Sequence, residues 1–455
     1  MEREVTLSEI LAAREDRVAR QAELLAIYGA PLISFSMNIA GPVKDTALIR
    51  RAFFTGCRML EAALEKAHLP VLCRREQLAH TGCEAYYVVD GDPLAVKQIC
   101  TAVEDGTPLG RLFDMDVLKP DGEKLDRAAV DGGERSCIVC GAPGRGCASR
   151  RVHTISELQG ATRRIMTEHF AAADCRTVAD LASRALWDEV CTTPKPGLVD
   201  RANSGSHQDM DIATFRASID ALDPYWERCA AIGQATAKEA AEETFRLLRE
   251  AGLQAEKAML AATNGVNTHK GAVFTLGTVC GAVGRLWKPE APCRNPKHIA
   301  EECAAMTKAA VASDWAAIKE IPAEKLTAGQ KLYLHYGFPG IRGEVAAGLP
   351  GVIDVALPAF RRALEAGYSR NDAGAVALLR LIARGTDTNM MARGGVELAK
   401  EAAERAAGLL KTKPLPDMAD IAVLDDWFIR KNLSPGGCAD LLAVTYFLHD
   451  WELTE

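Results

Sequence analysis

The stretch from Ala272 to Gly284 (AVFTLGTVCGAVG) carries no charge and is apolar all round at helical periodicity, so a helix there has to be enclosed by protein. Within it Gly277, Gly281 and Gly284 recur at helical spacing. A stripe without side chains predicts that another backbone packs closely against that side. Just before it, Asn264–Gly271 (NGVNTHKG) places Asn264, Asn267, Thr268, His269 and Lys270 in a Gly-containing turn. A helix start offers unpaired N–H groups and a positive dipole end, and Lys270 adds a full charge beside Gly271. The combination predicts a phosphate-binding helix entry. Ordinary capping explains the apolar half of the stretch but not the density of polar groups ahead of it.

The chain has 455 residues, above the ceiling of about 250–300 for one hydrophobic core, so two domains are expected. A net charge of −7 argues against a general nucleic-acid binder. The first residues (MEREVTLSEILAARED) lack the apolar segment of a signal peptide, and the Ala272–Gly284 run is too short to span a bilayer. Fourteen cysteines without a small-domain disulfide framework suit reduced thiols. A cytoplasmic protein is the expectation, with no membrane partner.

Along the chain, residues 1–26 read as an opening helix, Leu32–Ile39 as a strand and Ala47–His68 as an amphipathic helix. Pro70–Leu72, Ala85–Val89 and Leu112–Leu118 read as strands, with a helix over Pro93–Val103. This first domain, residues 1–160, is therefore expected to be α/β or α+β. From about residue 165 the texture becomes Ala-rich and helical, with segments at Thr177–Cys191, Ile212–Cys229, Ala235–Gly252, Ala255–Ala262, Ile299–Val311, Val355–Ala366, Asn371–Arg384, Val396–Leu410 and Ala439–His449. With no convincing strand, residues 165–455 are expected to be all-α.

In the first domain, Gly110–Val117 (GRLFDMDV) sets Asp114 and Asp116 two apart on a strand, hence on one face. Neighbouring carboxylates repel unless a cation sits between them, and oxygen-only ligands suit Mg²⁺ on a phosphate chain. Phe113, Met115 and Val117 on the other face would anchor the strand in a core. Lys44, Arg50, Arg51 and Arg111 are candidate phosphate contacts, although each alone reads more readily as a surface charge; Lys44, after a turn at a strand end, is the best of them. Cys137-x-x-Cys140, followed by Cys147 and His153, offers the ligand types of a structural zinc site, but the final Cys-x5-His spacing is looser than a tight pair, and the sequence favours unligated thiols over zinc.

In the second domain polar clusters interrupt the helical background. They are Thr192–Asp211 (with Lys195, His207, Asp209 and Asp211), the Asn264–Gly271 turn, His335–Glu344 (with Arg342 and Glu344), Asp387–Asn389 with Arg393, and Ser434–Asp440. Ser434 would cap a helix beginning near Pro435. Turn and cap chemistry favours the same residue types, so any one cluster is unremarkable. Five in an otherwise Ala-rich domain favour helix ends converging on a polyanion and a divalent metal.

The stretches CTTPKPGLVDRANSGSHQDMD, GVNTHKGAVFTLG, HYGFPGIRGE, DTNMMARGG and SPGGCADLLA together resemble triphosphoribosyl-dephospho-CoA synthase over most of residues 165–455. MNIAGPVKD, GRLFDMDV and CIVCGAPGRGCASRRVH resemble holo-citrate lyase synthase, the apo-citrate lyase phosphoribosyl-dephospho-CoA transferase, over about residues 5–155. The resemblance implies a bifunctional transferase, its first domain nucleotidyltransferase-like, that makes and attaches the prosthetic group of citrate lyase. Nucleotidyltransferases usually carry a Gly-Ser ahead of the paired aspartates, and this chain has none there. ATP and 3′-dephospho-CoA are the implied substrates, Mg²⁺ the implied metal, and the citrate lyase acyl carrier subunit the implied partner. The same chemistry could serve a malonate decarboxylase carrier, and a nucleotide- or zinc-binding regulator is the reading outside catalysis. On this resemblance Lys195, Lys270 and Arg342 are expected on the triphosphate, with Asn264, Asn267, Thr268, Gly271, Asn389, Arg393 and Ser434 completing the pocket. Asp209, Asp211, Glu344 and Asp387 are expected to hold metal or act as base. His207 and His269 are expected to move a proton or hydrogen-bond the adenine, while Asp114 and Asp116 serve the transfer step.

Overall fold

A computed structural model describes residues 3–454. The chain divides into two compact units, residues 1–171 with 289–291 and residues 172–288 with 292–455. The first is a small antiparallel sheet with helices; the second is helical throughout its described residues.

Of the predicted opening helix, residues 1–2 lie outside the described ones. The helix found, α1 (Leu7–Tyr28), starts at a capping box in which Thr6 and Glu9 satisfy each other's backbone N–H, and ends at Gly29 in the left-handed region. There follow β1 (Leu32–Met37), α2 (Ala47–Lys66), β2 (Val71–Ala79), β3 (Gly82–Val89), α3 (Pro93–Asp105), β4 (Phe113–Leu118) and the two-residue β5 (Lys124–Leu125). The sheet order is β2-β3-β1-β4-β5, with every pairing antiparallel, so the unit is α+β. β2 runs well past the predicted Pro70–Leu72, and β5 was not foreseen: two residues carry no periodicity to read.

Alternation decides what each face of the sheet does. Ile33, Phe35, Ala85, Tyr87, Phe113, Met115 and Val117 are buried, and Phe53 from α2 stacks on Phe35 at 5.1 Å. The opposite face carries Ser34 and Ser36, in register with Asp116 and Asp114. Leu24 and Leu25 of α1 cover the other end of that face, against Leu32, Tyr86 and Val88.

After α4 (Gly144–Arg150), the 37-residue α5 (Ile155–Cys191) contains the division between the units. The second unit continues with α6 (Ile212–Ala235), α7 (Ala241–Ala262), α8 (Lys270–Arg285), α9 (Pro296–Ala317), α10 (Ala328–Tyr336), α11 (Gly340–Ala346), a π-helical turn (Gly351–Ala356) running into α12 (Leu357–Glu365), α13 (Arg370–Ile382), α14 (Thr388–Gly394), α15 (Val396–Thr412), α16 (Met418–Arg430) and α17 (Gly436–Leu453). The predicted segments 235–252 and 255–262 are parts of α6 and of one continuous α7. Helices α10, α11, α14 and α16 were not read from the sequence.

Helix α8 is the centre of this unit, touching α6, α7, α9, α11 and α17. Its residues from Ala272 to Gly284 are buried, apart from a half-buried Phe274. The close backbone expected on its glycine stripe is α6. A Cβ added at Gly284 would lie 2.1 Å from the Ala230 carbonyl oxygen, and one at Gly233 would lie 2.1 Å from that of Gly281. Gly277 instead makes room for Tyr225, whose hydroxyl donates to the Val273 carbonyl at 2.9 Å. Arg285 fixes the far end of α8 by donating to the Thr236 carbonyl and the Thr244 hydroxyl. Among the described residues no single helix is long and apolar enough to cross a membrane.

Candidate active sites

The second unit contains a cleft of about 540 Å³, in the range of small-molecule sites. Four stretches supply most of its lining: the 195–210 loop, the start of α8, α14 and the 434–443 segment that opens α17.

The loop is anchored from below. Asp425 on α16 accepts from Gly197 N (2.8 Å) and from the Asn203 amide (3.0 Å), while Asp200 accepts from Lys195 N, Ala202 N and Asn203 N. Gly197, at φ +71°, is a position where a side chain would strike the Leu433 carbonyl. Held this way, Lys195 turns inward, 2 % exposed, and donates to Glu189 at 2.5 Å. Burial pushes the Glu189 carboxyl upward and the Lys195 charge opposes it.

At the start of α8, Thr268 donates to the Ser218 hydroxyl at 2.7 Å, and Ser218 lies 2.7 Å from His269 Nδ1. Among the described residues the Ser218 hydroxyl proton meets no acceptor other than Nδ1, and directing it there satisfies it. The hydrogen-bond network thus assigns His269 the tautomer with hydrogen on Nε2. That Nε2 is buried and has no partner, and the ring lines the cleft. Burial, then the positive Lys195, hold the imidazole down at about 3, so it is a neutral donor.

The amides of α8 are less free than the sequence suggested. Asn267 Oδ1 accepts from Lys270 N at 3.3 Å, and the Asp440 carboxylate accepts from Ala272 N. Gly271 is required for that approach, because a Cβ there would sit 1.9 Å from Asp440 Oδ2. Asp440 is driven well above the ordinary carboxyl range by burial and then by the charges of Glu189 and Asp387.

At the rim, His207 Nε2 lies 2.9 Å from the Ser434 hydroxyl, and Arg393 meets Nδ1 at 3.1 Å. Burial first, then Arg393, lower the His207 pKa, with the exposed Asp209 opposing. Ser434 is therefore spent on His207 and does not cap α17. The α17 cap is Asp387, which accepts from Cys438 N at 2.8 Å as well as from Asn389 N and Met390 N at the start of α14.

Lys195, His207, Asp209, Asn267, Thr268, His269, Lys270, Gly271, Asn389, Arg393 and Ser434 thus share one cleft. Other candidates stand elsewhere. Asp211 is exposed and caps α6 in a capping box with Thr214. Asp387 is consumed by its two caps. Glu344 is paired with Arg384 and accepts from Gly351 N. Asn264 is an exposed residue in the left-handed region, outside the cleft lining. Arg342 pairs with Asp314 and lies over Phe274 in an adjoining groove of about 310 Å³, which shares Lys270, Gly271 and Ile341 with the cleft. Lys270 itself is exposed and paired with Glu256 at 3.0 Å. The residues that sequence reasoning missed are Glu189, Ser218 and Asp440. Asp440 stood inside a recognised cluster, and only the approach of α17 to α8 singles it out.

In the first unit, Asp114 and Asp116 share a face as expected. Crowding by neighbouring protein atoms and then repulsion from Asp116 raise the Asp114 carboxyl, although the residue itself is exposed. Lys124 pairs with Asp116 at 2.6 Å; Arg135 and Arg17 are further cations acting on Asp114. A cleft of about 950 Å³ is lined by Asn38, two residues beyond Ser36 on β1, and by Arg111, just ahead of Asp114. It therefore opens at the Asp114 end of this strand pair. The other phosphate candidates are engaged: Lys44 donates to the Ile39 carbonyl, Arg50 forks onto Asp45, Arg51 lies over Phe170 and Arg111 donates to the Ser136 carbonyl. Cys137, Cys140, Cys147 and His153 converge on the wall of the cleft, with Cys140 Sγ 3.5 Å from Cys147 Sγ and 3.2 Å from His153 Nε2.

Comparison with known proteins assigns both units. Residues 5–169 match the family model of the apo-citrate lyase phosphoribosyl-dephospho-CoA transferases (CitX), and residues 175–455 that of the ATP:dephospho-CoA triphosphoribosyl transferases (CitG). Protein CitXG of Haemophilus influenzae is 34% identical over 457 residues, covering 97% of this chain and 96% of its own. Protein CitXG of Leuconostoc mesenteroides is 31% identical, with 98% and 97% covered. The 2-(5''-triphosphoribosyl)-3'-dephosphocoenzyme-A synthase of Pectobacterium atrosepticum is 38% identical over 64% of this chain and 94% of its own.

Proposed function

Since the chain belongs to the family of CitX–CitG fusions and is a transferase, we propose that it both builds and attaches the prosthetic group of citrate lyase. The second unit joins ATP to 3′-dephospho-CoA with loss of adenine; the first, read as nucleotidyltransferase-like, passes the phosphoribosyl-dephospho-CoA group to a serine of the acyl carrier subunit with loss of pyrophosphate. The observation that carries the synthase half is the cleft in which Lys195, Glu189, Asp440 and an unpartnered His269 Nε2 come together.

In the synthase step a C–O bond forms between the 2′-oxygen of dephospho-CoA and the anomeric carbon of ATP, and the C–N bond to adenine breaks. The reacting carbon passes through an oxocarbenium-like state, so the site has to take a proton from the hydroxyl and help the departing base. Asp440, which α17 brings against the first turn of α8 inside the cleft, is the carboxylate we assign to accept that proton. His269 Nε2–H is suited to donate a hydrogen bond to adenine without carrying charge. Lys270 and Arg393 at the rim would contact the triphosphate.

Besides Asp440, Glu189 (paired with Lys195) and Asp209 line the cleft, and carboxylates there fit Mg²⁺ arriving with the triphosphate. Asp114 and Asp116 fit it in the first unit on the same grounds. Bound there, Mg²⁺ supplies charge stabilisation to phosphate oxygens. In the transfer step the carrier serine oxygen bonds to the phosphorus nearest the ribose as the bond to pyrophosphate breaks. Asp114 and Asp116 hold the phosphate end, and Arg135 and Lys124 oppose its charge.

The test is free adenine. Purified protein given ATP and dephospho-CoA should release adenine mole for mole with dephospho-CoA consumed, and none from ATP alone. Absence of adenine under those conditions removes the synthase assignment.

A further inference from the structure

Residues 131–153 hold a defined shape without a core. None of them is buried, and α4 contributes no buried side chain. Apolar burial is the usual source of such order, and segments that lack it depend on cross-links or metal. Backbone bonds account for part: Cys137 N to Ala142 O at 2.7 Å, Gly144 N to Arg135 O at 2.9 Å, and a bridge between Ser136 and Pro143.

The remaining feature is the meeting of Cys137, Cys140, Cys147 and His153, with one ligand atom from each lying within 4.8 Å of all the others. Around tetrahedral zinc, bonds of about 2.3 Å to sulfur and about 2.0–2.1 Å to nitrogen put ligand atoms roughly 3.5–3.8 Å apart. The observed 3.5 Å between Cys140 and Cys147 and 3.2 Å between His153 and Cys140 fall a few tenths of an ångström short of that spacing, so an ion would need only a slight opening of the cluster. A disulfide would need sulfurs about 2.05 Å apart and would leave the histidine without a part. The loose Cys-x5-His spacing that weakened the sequence signal is taken up by α4 and the turn after it, which ends on Arg151 in the left-handed region.

We propose that Cys137, Cys140, Cys147 and His153 bind one Zn²⁺ in a closed structural site that shapes the loop beside the Asp114–Asp116 pair. Four protein ligands leave no open coordination position, so the metal's role is positional. The link to the acidic pair is direct. Arg135 donates to the carbonyls of Phe113 (2.8 Å) and Gly110 (2.9 Å), and Arg111 donates to the Ser136 carbonyl. The metal thereby holds in place the loop that carries a cation acting on Asp114.

Full-length protein, purified without chelator under reducing conditions, is assayed for metal by mass spectrometry. One zinc per chain is expected, lost in both Cys140→Ser and His153→Ala while adenine release by the second unit persists. Replacement by Co²⁺ should give the strong visible bands of a tetrahedral thiolate site. Limited proteolysis within residues 131–153 should speed up on zinc removal and slow again on zinc addition. Protein that neither contains zinc nor gains protease protection from it overturns the proposal, as does zinc retained at full stoichiometry in both variants. These readouts are independent of whether either transferase reaction is detected.

Discussion

His269 shows how much chemistry one side chain takes from its surroundings. In sequence it is one polar residue of five in a turn. In the fold, Ser218 fixes its tautomer and burial beside Lys195 keeps it neutral, at about 3. An unfolded chain would protonate this histidine below its ordinary value near 6.5, and the folded one does not until about 3. Between those values the unfolded state binds more protons, so folding stability rises with pH through the window and is lost as pH falls below 6.5. At about 1.4 kcal/mol per pH unit, roughly 2 kcal/mol should disappear between pH 6.5 and about pH 5. Urea titrations over that range should show the slope in the native chain and a flatter one in His269→Gln; equal slopes would contradict the buried neutral assignment. At this scale the sequence displayed the right residue types, but not their duties. Asp211 and Asp387 looked like metal ligands and are helix caps, because capping and metal binding draw on the same short carboxylates. Glu189 and Asp440 escaped notice because nothing local marks a carboxylate whose partner lies far along the chain.

Among the elements, α8 was the most legible. Its apolar composition required enclosure, and its glycine stripe required a close backbone, which α6 supplies. Glycines that look alike in sequence should therefore behave oppositely. Gly284→Ala pushes a methyl into the Ala230 carbonyl, a backbone atom with no room to yield, and should cost about 1–3 kcal/mol or more. Gly408 lies exposed within α15 with open space around it, so Gly408→Ala should add about 0.5–1 kcal/mol through helix propensity. Thermal unfolding of the two variants checks the sign of each. The strands were legible for the same reason as α8, through alternation. Short elements such as β5, α11 and α14 were not, since two residues of strand or seven of helix hold only one or two periods, and their positions come from tertiary contacts.

For the whole molecule, the two clefts draw all their lining residues from separate units, which predicts separable activities. Asp114→Asn should abolish attachment to the carrier while adenine release continues at the native rate. Asp440→Asn should stop adenine release while preformed triphosphoribosyl-dephospho-CoA is still transferred. Measuring both reactions on both variants decides the point; a single variant that silences both without unfolding would mean one shared centre. The resemblance to two enzyme families was readable from clustered motifs, whereas the assembly of each cleft depends on contacts between distant segments.

The placement of α17 also bears on how the protein is made. The sheet that carries Asp114 and Asp116 has all its strands once β5 is synthesised at Leu125, so that sheet can form early on the ribosome. The second unit has to wait. Helix α8 leaves the ribosome long before α17, the helix that covers it and brings Asp440 to its first turn. Until α17 arrives, the apolar side of α8 that it will cover lies open, and a nascent chain is a client for holding chaperones. A product terminated in this interval would lack the carboxylate along with the cover, and would be lost to aggregation instead of persisting as a partly active enzyme.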